Sequence, residues 1–118
     1  MAVFPCDLHP HRYPDPQRSI YLTYVAGDTL QTNMLRLCPR DFNEELELVG
    51  EYLAVVDESS QMSTKCELCD EPKVCSLFAK VFDHKAEMVQ YAADFCADDA
   101  EMVLGKLSFA NGRPMRTR

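Results

Sequence analysis

Apolar and polar positions alternate over residues 19–25, so Ile20, Leu22 and Tyr24 share one face of an extended segment. Residues 26–29 carry a Gly-Asp pair suited to a turn with positive φ, and residues 30–37 return as a second strand containing Leu30 and Met34. The period then changes. From Cys38 to Val56, Phe42, Leu46, Val49 and Leu53 recur at helical spacing, while Glu44, Glu45, Glu47 and Glu51 take the other faces and predict a solvated acidic surface. Pro39 suits the first helical position, which makes Cys38 the N-cap.

The polar stretch at 57–65 reads as a boundary, and the plan then repeats. Residues 74–82 predict a strand, 83–86 a turn and 87–95 its partner, with helix as the alternative for both segments because EMVQYAADF contains good helix formers. Beyond Cys96, Ala100, Val103, Leu104 and Leu107 stand at helical spacing. The start of the chain, with Pro5, Pro10, Pro14 and Pro16, predicts an extended arm. The end, ANGRPMRTR, predicts a flexible tail. Met34, Met88 and Met102 read as core filler, and His84 as an exposed turn residue.

The cysteines sharpen the repeat. Cys6-x2-His9 precedes Cys38-x2-Asp41 in the first half, and Cys66-x2-Cys69 precedes Cys96-x2-Asp99 in the second. Cys6 to Cys66 is 60 residues and Cys38 to Cys96 is 58, nearly one period. Two residues between ligands let a tight turn aim both side chains at one ion. A helix N-terminus sets positions i and i+3 on one face, and its dipole favours thiolate over thiol. These residues are therefore candidate ligands for two tetrahedral zinc ions. His11 is an alternative to His9, and Asp98 to Asp99; for Asp41 and Asp99 a helix-capping role is the alternative to ligation. A single all-thiolate site of Cys6, Cys38, Cys66 and Cys69 is the rival partition; Cys75, in a strand, reads as a core thiol.

A ligand knuckle, a hairpin and a helix that begins with further ligands resemble the treble-clef zinc finger over about residues 4–56 and 64–107. LIM-type treble clefs are similar in accepting Asp as a last ligand, but they pack eight ligands into a length comparable to one half here. The resemblance implies an α+β chain of two tandem small treble-clef-like zinc modules. Their expected bounds are 1–57 and 66–108, with a linker at 58–65 and a flexible basic tail at 109–118.

At 118 residues, with 12 Lys and Arg against 19 Asp and Glu, the chain is too short for large catalytic architectures and carries a net charge of -7. Most of that charge lies in residues 1–60, which hold 4 basic and 10 acidic groups, against 8 and 9 in the remainder. This balance disfavours unspecific contact with nucleic-acid phosphates. No apolar run has the length of a membrane span, and the first residues lack the apolar core of a signal peptide. Six cysteines without export features predict a reducing, cytoplasmic compartment. Halves of this size need a staple, so the metal reads as structural and the chain as a non-enzymatic protein-interaction or regulatory module. Nucleic-acid binding through Arg12, Arg18, Arg36, Arg40, Arg113, Arg116 and Arg118 is the alternative, with zinc hydrolysis behind it.

Overall fold

The computed structural model describes residues 6–8, 18–56, 64–82 and 87–115. Strand β1 (Arg18–Ala26) and strand β2 (Thr29–Leu37) form a hairpin. Its two-residue turn needs Gly27, which sits at φ 58°. Helix α1 (Pro39–Tyr52) follows, and Leu53 leaves it in extended conformation to begin strand β3 (Ala54–Val55). Strands β4 (Cys75–Phe82) and β5 (Met88–Phe95) make a second hairpin, followed by helix α2 (Ala97–Lys106), a 3-10 turn (Phe109–Asn111) and strand β6 (Arg113–Met115).

The six strands form one antiparallel sheet in the order β3-β5-β4-β1-β2-β6. This overturns the expectation of two tandem treble-clef modules. The hairpins do not stand apart: β1 pairs with β4, bringing Ile20 opposite Val81, Leu22 opposite Ala79 and Tyr24 opposite Leu77. Each half also sends its last strand to the other. β3 pairs with β5, and β6 pairs with β2. Exchanging β1 with β4, β2 with β5 and β3 with β6 reproduces the same strand order read backwards.

The physical reason is burial. A segment of about 50 residues encloses too little apolar surface to offset its own ordering, whereas the joined sheet supports one core. Ile20, Leu22, Leu35 and Leu37 from the first hairpin, and Leu77, Ala79, Val81, Ala93 and Phe95 from the second, share a buried cluster. Phe42 and Val49 of α1 and Ala100, Val103 and Leu107 of α2 belong to the same cluster, so both helices cover one face of the sheet.

Three local expectations also change. The helix predicted to Val56 stops at Tyr52, because its end is recruited to the β5 edge. The predicted flexible tail contains the 3-10 turn and β6; residues 116–118 lie outside the described set. The turn is fixed by Asn33, buried in β2, whose amide nitrogen donates to the Phe109 carbonyl at 2.8 Å. At Gly112 a Cβ would stand 2.9 Å from that of Asn33, so the approach of the segment to β2 depends on glycine. Finally, Met88 and Met102 are exposed, not core. Among the described residues, no helix is long and apolar enough to cross a membrane.

Candidate metal centres

β2 and β5 run antiparallel to each other through the succession of strands between them, so their C-terminal ends lie at opposite ends of the sheet. At each end the strand stops at a cysteine, and that cysteine is the N-cap of a helix. Cys38 and Cys96 share an extended backbone, at φ -65° ψ 161° and φ -73° ψ 170°. Neither side chain caps its helix. Backbone bonds close the first turns instead, from Phe42 N–H to the Cys38 carbonyl at 2.8 Å and from Ala100 N–H to the Cys96 carbonyl at 2.9 Å. Both thiols turn toward the carboxylate three residues on, Cys38 to Asp41 and Cys96 to Asp99.

The preceding cysteines are delivered by matching backbone contacts. Asp7 N–H donates to the Arg36 carbonyl at 2.8 Å, which sets Cys6 beside the end of β2. Glu67 N–H donates to the Asp94 carbonyl at 2.8 Å and sets Cys66 beside the end of β5. The knuckle closes through Cys66 N–H to the Glu71 carbonyl at 2.9 Å, which turns Cys69 back toward Cys96.

Two clusters result: Cys6, Cys38 and Asp41 in one, and Cys66, Cys69, Cys96 and Asp99 in the other, with the ligand atoms of each within 4.8 Å of one another. In the first, the Cys6 and Cys38 thiols donate to the same Asp41 Oδ2 at 3.1 and 3.2 Å. In the second, Cys66 and Cys96 donate to Asp99 Oδ2 at 3.1 and 3.3 Å, and the sulfurs of Cys69 and Cys96 are 3.8 Å apart.

These separations suit a tetrahedral ion. With Zn–S near ~2.3 Å and Zn–O near ~2.0 Å, adjacent sulfurs would stand about 3.8 Å apart, and sulfur and oxygen about 3.5 Å. The observed sulfur–sulfur edge already has that length, and the sulfur–oxygen contacts need to open by a few tenths of an ångström. The donor set, soft thiolates with one hard carboxylate, suits zinc among common divalent ions.

Electrostatics point the same way. Three thiols, Cys66 foremost with Cys69 and Cys96, hydrogen-bond to Asp99 and hold its carboxyl below the usual range. A backbone bond from Glu71 favours the Cys69 thiolate. Burial and the neighbouring Asp99, Cys66 and Cys96 outweigh it and push that thiol up to about 12. Cys96 is also raised: the Asp99 backbone N–H favours its thiolate, but burial and the Asp99 carboxylate prevail. Thiols so crowded against a carboxylate keep their protons until a cation replaces them.

The clusters differ in cover. Cys6, Cys38 and Asp41 are all buried, whereas in the second only Cys66 is, and Cys69, Cys96 and Asp99 are partly exposed. His9 and its alternative His11 lie outside the described residues, as does His84. The rival all-thiolate quartet is not brought together, because Cys6 and Cys38 gather at one end of the sheet and Cys66 and Cys69 at the other. Cys75 joins neither cluster; it is buried in β4, with its thiol directed at the Phe95 carbonyl at 3.7 Å. Asp98 is exposed and stands outside the second cluster.

Two residues of the site escaped the sequence reading. Asp7 holds the first knuckle: its Oδ2 accepts the Arg36 N–H at 2.7 Å and its Oδ1 pairs with Arg113 at 3.3 Å. The period of 60 residues that relates Cys6 to Cys66 sets an acid, Glu67, in the corresponding place, which was the available signal. Glu45, expected on the solvated face, is 2% exposed, and its Oε1 has no hydrogen-bond partner among the described residues. Burial and the nearby Asp41 charge raise its carboxyl to about 8.

No family model, curated protein or solved structure matches the chain.

Proposed function

We propose that this chain is a small acidic protein stapled by two structural zinc ions, and that it acts by docking to a protein partner. One observation carries the metal reading: at both ends of the sheet, two cysteine sulfurs converge on a single aspartate oxygen within hydrogen-bonding distance. A shared ion at each end accounts for the convergence of these donors. The ligands would be Cys66, Cys69, Cys96 and Asp99 for one ion, and Cys6, Cys38, Asp41 and His9 for the other.

A structural role follows from placement. Each ion would tie a knuckle to the start of a helix at the end of a strand, closing contacts that are distant in sequence. Four protein donors at the second cluster fill a tetrahedron and leave no position for substrate water, so the reading is non-catalytic.

For the partner, charge favours protein over nucleic acid. Glu44, Glu47 and Glu51 remain exposed along α1 as an acidic surface. Three arginines that would otherwise serve phosphate contacts are engaged within the chain: Arg40 with Glu44 at 3.6 Å, Arg113 with Asp7 at 3.3 Å, and Arg18 over the Phe42 ring at 5.3 Å.

Native mass spectrometry before and after chelation tests the metal reading, which predicts two zinc ions per folded chain. One ion would reduce the reading to a single site, and none on a folded chain would remove it. The docking surface is tested separately by reversing Glu44, Glu47 and Glu51 to Lys. Partner capture should be lost while metal content stays unchanged.

A further inference from the structure

We infer that the second cluster is an oxidant-sensitive site, at which Cys69 and Cys96 join in a disulfide and release the ion, while the buried first cluster keeps its own. The inference rests on the metal reading above and adds a modification and its consequence.

Geometry selects the pair. The Cys69 and Cys96 sulfurs already lie 3.8 Å apart, and both residues are partly exposed. Cys96 is fixed as the N-cap of α2, whereas Cys69 stands in the surface turn that closes from Cys66 to Glu71. Forming a bond of about 2.05 Å requires an approach of somewhat under 2 Å, and the turn can supply it without moving the sheet. The other thiols are shielded. Cys6 and Cys38 are 0% and 5% exposed, Cys66 is 6%, and Cys75 is 3%. A small peroxide therefore meets Cys69 and Cys96 first.

The chemistry is complete with hydrogen peroxide as the oxidant. The thiolate of one residue attacks the peroxide O–O bond, forming a sulfenic acid and expelling hydroxide. The thiolate of the other then attacks that sulfur, forming the S–S bond and expelling a second hydroxide. Two thiolates are oxidised by two electrons, and the peroxide is reduced by two. Cys66 and Asp99 remain as the only donors from the cluster, too few to retain the ion. Loss of the tie between the 66–71 turn and the start of α2 would loosen that end of the sheet. The other end stays stapled.

The test uses the full-length zinc-loaded chain with stepwise hydrogen peroxide. Released zinc is followed with a chromophoric chelator, remaining zinc by native mass spectrometry, and linked peptides by fragmentation after thiol blocking. The expected result is release of one of the two ions, loss of two thiols, and a Cys69–Cys96 linkage that disappears on reduction with recovery of zinc binding. Cys75→Ser should behave as the unsubstituted protein. Release of both ions in parallel, or a linkage dominated by any other pair, would overturn the inference while leaving the metal reading intact. A chain that carries no zinc before peroxide is added refutes the metal reading itself and this inference with it.

Discussion

Asp7 and Arg36 are joined twice, the Asp7 N–H donating to the Arg36 carbonyl at 2.8 Å and the Arg36 N–H donating back to the Asp7 carboxylate at 2.7 Å. This double link holds Cys6 beside the end of β2, next to Cys38. The same carboxylate also pairs with Arg113 just where β6 begins. Asp7→Ala is therefore expected to cost about 1–3 kcal/mol, the range for removing the partner of charged and buried hydrogen bonds. It should also weaken zinc at the first cluster selectively. Thermal unfolding and chelator competition measure the two effects, and Asp7→Asn should restore part of each.

Glu45 sets a pH dependence. Its carboxyl is raised from 4.5 to about 8, so between those values the folded chain holds a proton that the unfolded chain has released. Stability contributed at this position is therefore greatest at low pH, falls as pH rises toward about 8, and is level above it. Glu45→Gln should flatten the decline. The comparison is the difference in urea midpoint between the two proteins at each pH. At the corresponding place on α2, 58 residues on, stands Val103, fully buried. Glu45→Val should accordingly raise stability at neutral pH and lose the pH dependence.

Zinc at the second cluster should bind more tightly as pH rises. Cys69 is raised to about 12 and Cys96 is raised as well, so both carry protons in the metal-free chain near neutrality. Binding expels them, and each proton released contributes about a tenfold change in affinity per pH unit. Competition with a chelator of known pH dependence reads the slope. A slope of zero would mean that the thiols are not ligands.

Loss of a ligand should be felt by the whole sheet. Because Leu35 and Phe95 sit in one core and β1 pairs with β4, Cys66→Ser is expected to destabilise both halves together. The cost should be about 3 kcal/mol or more, as for lost metal sites generally. Cys75→Ser, which touches no cluster, should stay near 1 kcal/mol. Hydrogen exchange resolves the outcome: amides of β1 and β5 should lose protection in parallel, and protection confined to one hairpin would contradict a shared core.

What the sequence disclosed was what depends on neighbours. The two hairpins and the helix starts follow from alternation around Ile20 and Leu22 and from Pro39 placed after Cys38. The Cys66–Cys69 knuckle is a local turn, and spacing alone relates Cys6 to Cys38 and the Cys66–Cys69 pair to Cys96. What stayed hidden depends on partners distant in the chain. β3 is two residues long, too short for a period, and it exists because Ala92 and Tyr91 lie opposite it. β6 contains Pro114, which reads as a breaker until Asn33 is found across from it at a sheet edge. Glu45 reads as solvated by its acid identity, yet its position one turn after Asp41 sets it on the buried side of α1.

The short outer strands have one more consequence. β2 and β5, with 9 and 8 residues, would each present a long row of unpaired amides and carbonyls at the border of the sheet. Strands of 3 and 2 residues, one of them interrupted by a proline, cover part of each instead, opposite Thr32–Met34 and Tyr91–Ala92. A border that short offers a passing chain little to bond with. The reciprocal crossing of the halves thus narrows the open border and reduces an edge-to-edge aggregation hazard that two free-standing hairpins would each have faced alone.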